Sequence, residues 1–291
     1  MKTIYFDQFA ISSMSGPDIP DIWNKIRNII LNLKRQNKIL CCTSSETIFE
    51  TSQRNSTGII DNYSTISELM NNCYLNDTRT IICQQIAKSI KGIESNPFIQ
   101  VNHDYTSSEF NFNLRHAIHS EFDCIHIPLC PIDITKDNLT YITDLFLFNR
   151  KGNFIDSIDS FLLNKAKKSI YIDICNSLVK SFNFTTTDFV QLRNRIYNDD
   201  FSISPTLNIH NKLEPYITFS RLCKKTKIDF KNDIFDIRRL STAIPYCNVI
   251  LCDNRWKNCI KDLNINSEYN IVAFSAKKAD LIEFENYLYN I

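Results

Sequence analysis

Glycine is scarce in this chain, with 4 among 291 residues, and proline stands at 8. No GxGxxG, GxxxxGK[ST] or GxSxG pattern occurs, so a glycine loop that cradles phosphate and a nucleophile elbow are both excluded. Net charge of either sign is also missing: 33 Lys and Arg oppose 32 Asp and Glu. That balance excludes a polybasic coat protein or an acidic tail, and leaves room only for local patches. Long apolar runs are absent too. The stretch from Ile142 to Phe148 carries Asp144 and is far short of a membrane span. The N-terminal run Ile4-Tyr5-Phe6 stops at Asp7, unlike a signal peptide, so the expected setting is cytoplasmic with no membrane.

What is present is a globular composition, 43% hydrophobic and 12% aromatic, too apolar for disorder and large enough for a core without disulfide staples. The 11 cysteines are read as free, mostly buried thiols, since no export signal accompanies them. Three of the 5 histidines fall in one segment, with His116, His119, Cys124, His126 and Cys130. Their spacing matches no zinc module. A helix over 110–120 followed by a buried strand at 125–129 is the alternative reading.

The ends of the chain alternate strand and helix. Ile4-Tyr5-Phe6 reads as a short buried strand, 19–38 as an amphipathic helix, and Ile39 to Cys42 as a second strand. Thr43, Ser44 and Ser45 then supply N-cap chemistry for a helix through Glu46 and Glu50. The pattern returns late: a helix over 233–244 stopped by Pro245, a strand Asn248–Cys252, a helix at 256–263, a strand at 269–274 and a helix at 279–289. Between them, 58–227 is mainly helical, with a strand signal at 98–101. This predicts an α/β fold on a parallel sheet, its core formed by 1–57 and 228–291 and interrupted by a helical insertion at 58–227.

Two acids, Asp7 and Asp253, follow predicted strands, and parallel α/β sheets bind ligands beyond the carboxyl ends of their strands. Glu50 and Asp236 sit on helices nearby in the pattern. Carboxylates gathered in one crevice repel unless a cation offsets them, and oxygen ligands suit Mg²⁺ or Mn²⁺. Such ions support phosphodiester hydrolysis. Glu46 shares a helix face with Glu50 and alternatively forms a capping box with Thr43; Asp233 stands one turn before Asp236 and alternatively caps its helix.

The ordered series Ile4-Tyr-Phe-Asp7-Gln-Phe, Thr43-Ser-Ser-Glu-Thr-Ile-Phe-Glu50, Asn232-Asp-Ile-Phe-Asp236 and Val249-Ile-Leu-Cys-Asp253 resembles the PIN-domain nucleases. Its start is similar to a bacterial branch with a "YLDQN"-like opening. The resemblance covers 1–57 and 228–291. It implies a three-layer α/β/α fold with a central parallel sheet and a Mg²⁺- or Mn²⁺-dependent endoribonuclease. Catalysis and metal binding then fall to Asp7, Glu50, Asp236 and Asp253, with Glu46 and Asp233 as substitutes. Many bacterial members are toxins or phage-defence effectors, so an antitoxin or defence-system protein is an expected partner. Phe9 and Cys252 depart from the branch pattern, and they motivate the alternative of a silent RNA- or protein-binding scaffold. A DNA nuclease is a further alternative.

Basic residues supply the substrate side. Lys25, Arg27, Lys34, Arg35 and Lys38 face only Asp21 within 21–38, and a second basic run occupies 212–231. Arg238, Arg239, Arg255 and Lys257 flank the candidate ligands and are the expected phosphate contacts with RNA, against the alternative of solvated helix faces.

Overall fold

The computed structural model describes residues 1–52, 56–101, 136–164, 169–223 and 230–291. The chain divides into two compact units, each considered by itself. The first comprises 1–77, 97–119 and 242–291; the second comprises 78–96 and 120–241.

The first unit is built on a six-stranded sheet: β1 (Lys2–Phe6), β2 (Ile39–Ser44), β3 (Cys73–Leu75), β4 (Phe98–Gln100), β5 (Val249–Leu251) and β6 (Val272–Phe274). Their order is β4-β3-β2-β1-β5-β6. All neighbours are parallel except the edge strand β4, which runs antiparallel to β3. Ile4 is level with Cys41 on one side and Val249 on the other. Ile4, Tyr5 and Phe6 are all buried, as expected of a central parallel strand covered on both faces.

Helices α1 (Gln8–Ser13) and α2 (Asp21–Arg35) link β1 to β2, and α3 (Ser45–Ser52) and α4 (Ser56–Met70) link β2 to β3. On one face, Trp23, Ile26 and Ile30 of α2 join Tyr63, Ile66 and Leu69 of α4 beneath Ile4 and Phe6. Strand β2 extends past the predicted Cys42, because Thr43 and Ser44 pair with Tyr74 and Leu75 of β3. Those two residues are therefore sheet members.

The second unit is helical. It holds α5 (Thr78–Lys91), α6 (Lys136–Leu162), α7 (Ile170–Phe182), α8 (Thr186–Tyr197) and α9 (Pro205–Cys223), together with most of α10 (Phe230–Ala243). Its core gathers Ile82 and Ile86, Phe154 and Ile158, Ile174 and Leu178, and Phe189 and Leu192. Thr185 and Asp188 form a reciprocal capping box that starts α8.

Back in the first unit, α11 (Asn254–Asp262) and the single turn α12 (Ile265–Glu268) connect β5 to β6, and α13 (Lys278–Tyr289) packs beside α2. Among the described residues, no helix is long and apolar enough to cross a membrane. The cysteines at 41, 42, 73, 83, 175, 247, 252 and 259 are buried and form no disulfide. The histidine and cysteine segment from His116 to Cys130, with the strand expected at 125–129, lies outside the described residues.

Candidate active site

The chain leaves β1 for β2 and β3 on one side, then resumes at β5 and β6 on the other. The switch of direction falls between β1 and β5, where an open α/β sheet forms its binding crevice. Asp7 and Asp253 stand at the carboxyl ends of those two strands. Phe6 is level with Leu251, and the Asp7 amide donates to the Leu251 carbonyl at 3.1 Å.

The two acids live differently. Asp7 is buried and caps α1, its carboxylate accepting from the Gln8 amide at 2.8 Å. Asp253 begins α11 with an extended backbone, is exposed, and makes no side-chain capping bond. A carboxylate not spent on its own helix keeps its lone pairs for a ligand.

Helix α3 leaves β2 at the same edge. A polar seam ties it to β1: the Thr43 hydroxyl donates to the Phe6 carbonyl at 2.8 Å and lies 2.8 Å from the Thr47 hydroxyl. One turn on, the Thr51 hydroxyl donates to Gln8 Oε1 at 3.2 Å. Thr43, Thr47 and Thr51 recur every four residues, a repeat legible in the sequence. Thr43 is thus engaged with β1 inside β2 rather than acting as the N-cap expected of a capping box. Glu46, in the first turn of α3, is buried, whereas Glu50 is half-buried one turn later. Burial therefore does not favour Glu50 over Glu46.

A further acid at this edge escaped the sequence reading. Asp280, near the start of α13, accepts from the Ser275 amide at 3.0 Å, from the Ser275 hydroxyl, and from Lys257 Nζ at 2.7 Å. Burial works to raise its pKa, but the bonds from Lys257 and Ser275 outweigh burial and leave it lowered. Lys257, expected to hold phosphate, is thus paired with Asp280. Arg255 is exposed on α11, its guanidinium 4.8 Å from the Trp256 ring centre.

The remaining candidates belong to the second unit. On α10, Asp233 is buried and meets Arg221 through Nη2–Oδ1 at 2.7 Å and Nε–Oδ2 at 2.5 Å, a forked ion pair. Asp236 pairs with Arg239 one turn on. Arg238 and Arg239 are 5% and 4% exposed, so they are interior cations rather than the solvated helix face weighed from sequence. His210 is also buried there, beside Glu214 at 3.5 Å. Its pKa is held well below the usual value by burial first, then by the charges of Arg150 and Arg238. In the basic run at 212–231, Lys224, Lys225 and Lys227 lie outside the described residues.

The donors expected for a metal are hard carboxylate oxygens, chemistry that suits Mg²⁺ or Mn²⁺. Among the described residues, however, no three His, Cys, Asp or Glu side chains stand together in a group that could hold an ion. No protein-family model matches the chain, nor does any curated protein or solved structure.

Proposed function

We propose that the protein is a PIN-like, metal-dependent endoribonuclease whose active site lies at the carboxyl edge of the sheet. The observation that carries this reading is the placement of Asp7 and Asp253 on adjacent parallel strands at the switch point, with Glu46 and Glu50 on the helix that leaves the next strand. The PIN resemblance also names Asp236, a residue of the second unit, and supplies the expectation of RNA as substrate. A Mg²⁺ or Mn²⁺ ion, when bound, supplies the positive charge that lets an anionic phosphodiester approach carboxylates.

Each residue then has a part. The exposed Asp253 carboxylate meets the ligand first. Asp7 holds its position through α1, and the threonine seam fixes α3 and its glutamates against β1. Arg255 is the exposed cation best placed on its own element to receive a phosphate. A role in toxin or phage-defence chemistry, with an antitoxin-like partner, belongs to the same proposal and rests on the resemblance alone.

Incubation of the purified protein with single-stranded and structured RNA, with Mn²⁺ or with chelator, tests the reading. Cleavage that needs Mn²⁺ and is lost in Asp253→Asn and Asp236→Asn supports it; equal cleavage by the wild type and both variants refutes it. The same assay on matched DNA separates a DNA nuclease. A second reading, a silent RNA- or protein-binding scaffold, is favoured by the lack of a gathered three-ligand group among the described residues. RNA binding without cleavage under every metal condition selects it.

A further inference from the structure

The amino edge of the same sheet, opposite the acids, carries two open hollows of about 420 and 560 Å³. Both border Asn37, in the turn between α2 and β2. Lys34 and Arg35 line the first, and Lys2 and Lys38 line the second. The Lys2 amide donates to the Lys38 carbonyl at 2.9 Å, so two lysines border one hollow, Lys2 at the start of β1 and Lys38 just before β2.

Little on the protein offsets them. The acid bordering these hollows, Glu68, gives its carboxylate to Arg27, and Lys34 reaches only the Glu68 carbonyl. Among the described residues, Lys2, Arg35 and Lys38 have no ion-pair partner. Helices α2, α4 and α13 all end here, but each C-terminus carries only about half a negative charge. Four side-chain cations against roughly one and a half units of helix dipole still leave a positive excess. Burial also lowers the pKa of Lys34, opposed in part by Cys41 and Glu68, so a bound anion would relieve a desolvated ammonium.

Two cationic hollows in series call for a ligand whose negative charge repeats along its length. Beside the charges of the second hollow stands the half-buried Tyr287 ring. A repeating anion that also carries flat apolar faces is a single-stranded nucleic acid. An acidic peptide supplies the charges without the faces.

We propose that the amino edge of the sheet is a binding site for single-stranded nucleic acid, with phosphates held by Lys34 and Arg35 in one hollow and by Lys2 and Lys38 in the next. The site does not depend on the cleavage reading, since it lies at the other end of the strands. Fluorescence anisotropy with a labelled single-stranded RNA in EDTA, where no metal-dependent cleavage proceeds, measures it across a salt titration. Each phosphate contact contributes about 0.7 to the slope of log K against log salt, so Lys2→Ala/Arg35→Ala/Lys38→Ala should flatten the slope by about 2 and weaken binding about a hundredfold near 0.1 M salt. Arg35→Gln alone should remove about 0.7 of slope, and serves if the triple variant fails to fold. Lys180→Ala/Lys261→Ala, exposed lysines elsewhere, should bind as the wild type does. Unchanged slope and affinity in the hollow variants would overturn the proposal. So would polyglutamate competing as well as RNA through the same residues, which assigns the edge to acidic peptides.

Discussion

Asp7 is both a helix cap and a candidate ligand, and two substitutions separate those roles. Its carboxylate accepts from the Gln8 amide at 2.8 Å in a buried setting. Removing an N-cap acceptor costs about 0.5–2 kcal/mol, and a buried amide left without an acceptor costs about 1–3 kcal/mol. The two figures describe the same bond, so Asp7→Ala should lose about 2 kcal/mol. At a urea dependence of about 2–3 kcal/mol/M, the unfolding midpoint should fall by nearly 1 M. Asparagine caps as well as aspartate, so Asp7→Asn should stay within about 0.5 kcal/mol of wild type. Loss of a preorganised charge at a reacting phosphate commonly costs about 10²–10³ in rate, and the Asn variant should lose RNA cleavage by that factor. Urea melts and Mn²⁺-dependent cleavage on the same preparations provide both readouts. Asp7→Asn that unfolds as readily as Asp7→Ala refutes the capping argument, and Asp7→Asn that cleaves at the wild-type rate removes Asp7 from the site.

Asp280→Ala should cost about 2–3 kcal/mol, because the Ser275 amide is buried and loses its acceptor. The folded pKa of Asp280 is lowered, so its contribution is present above about pH 4, the unfolded value, and is lost as pH falls through the folded pKa; urea midpoints of Asp280→Asn should respond less to acid than wild type, and an identical response refutes the assignment. His210 is held neutral in the folded chain, so stability should fall as pH drops below about 6.5, where the unfolded imidazole takes a proton, and His210→Gln should flatten that slope in melts between neutral and mildly acid pH. Burial raises the thiol pKa of Cys41 and Cys42, and iodoacetamide should label them only after unfolding, as peptide mass mapping would show; fast labelling in the native state contradicts their burial.

The strands were legible where burial on both faces made continuous apolar runs, as at Ile4 to Phe6 and Val249 to Leu251. The three-residue β3 left no such mark: Cys73-Tyr74-Leu75 is too short to show a period, and it is a strand because β2 and β4 pair with it. Thr43 and Ser44 misled for a related reason. Hydroxyl residues before an acid read as a cap, but both pair with β3, and the Thr43 hydroxyl goes to the Phe6 carbonyl of β1 instead of to the helix. Burial was harder to foresee for charge than for apolar residues. Arg238 and Arg239 look like surface cations in sequence, and only the acids and helices around them make them interior.

The strand-end acids were visible because position along a strand is a sequence property; what each carboxylate does there is not. Both strand-end acids occupy an N-cap position with similar backbone, φ −75° and ψ 163° at Asp7 and φ −55° and ψ 148° at Asp253, yet only the Asp7 side chain bonds its own helix. The sheet's reversal of direction then gives that difference its meaning. At the switch point one carboxylate fixes the wall of the crevice while the other faces solvent across from it in the strand order. Asp253 is for that reason the acid whose substitution should cost least stability and most function. A loss of stability in Asp253→Asn above about 0.5 kcal/mol would overturn this division, since an exposed side chain without a capping bond has little to lose on folding.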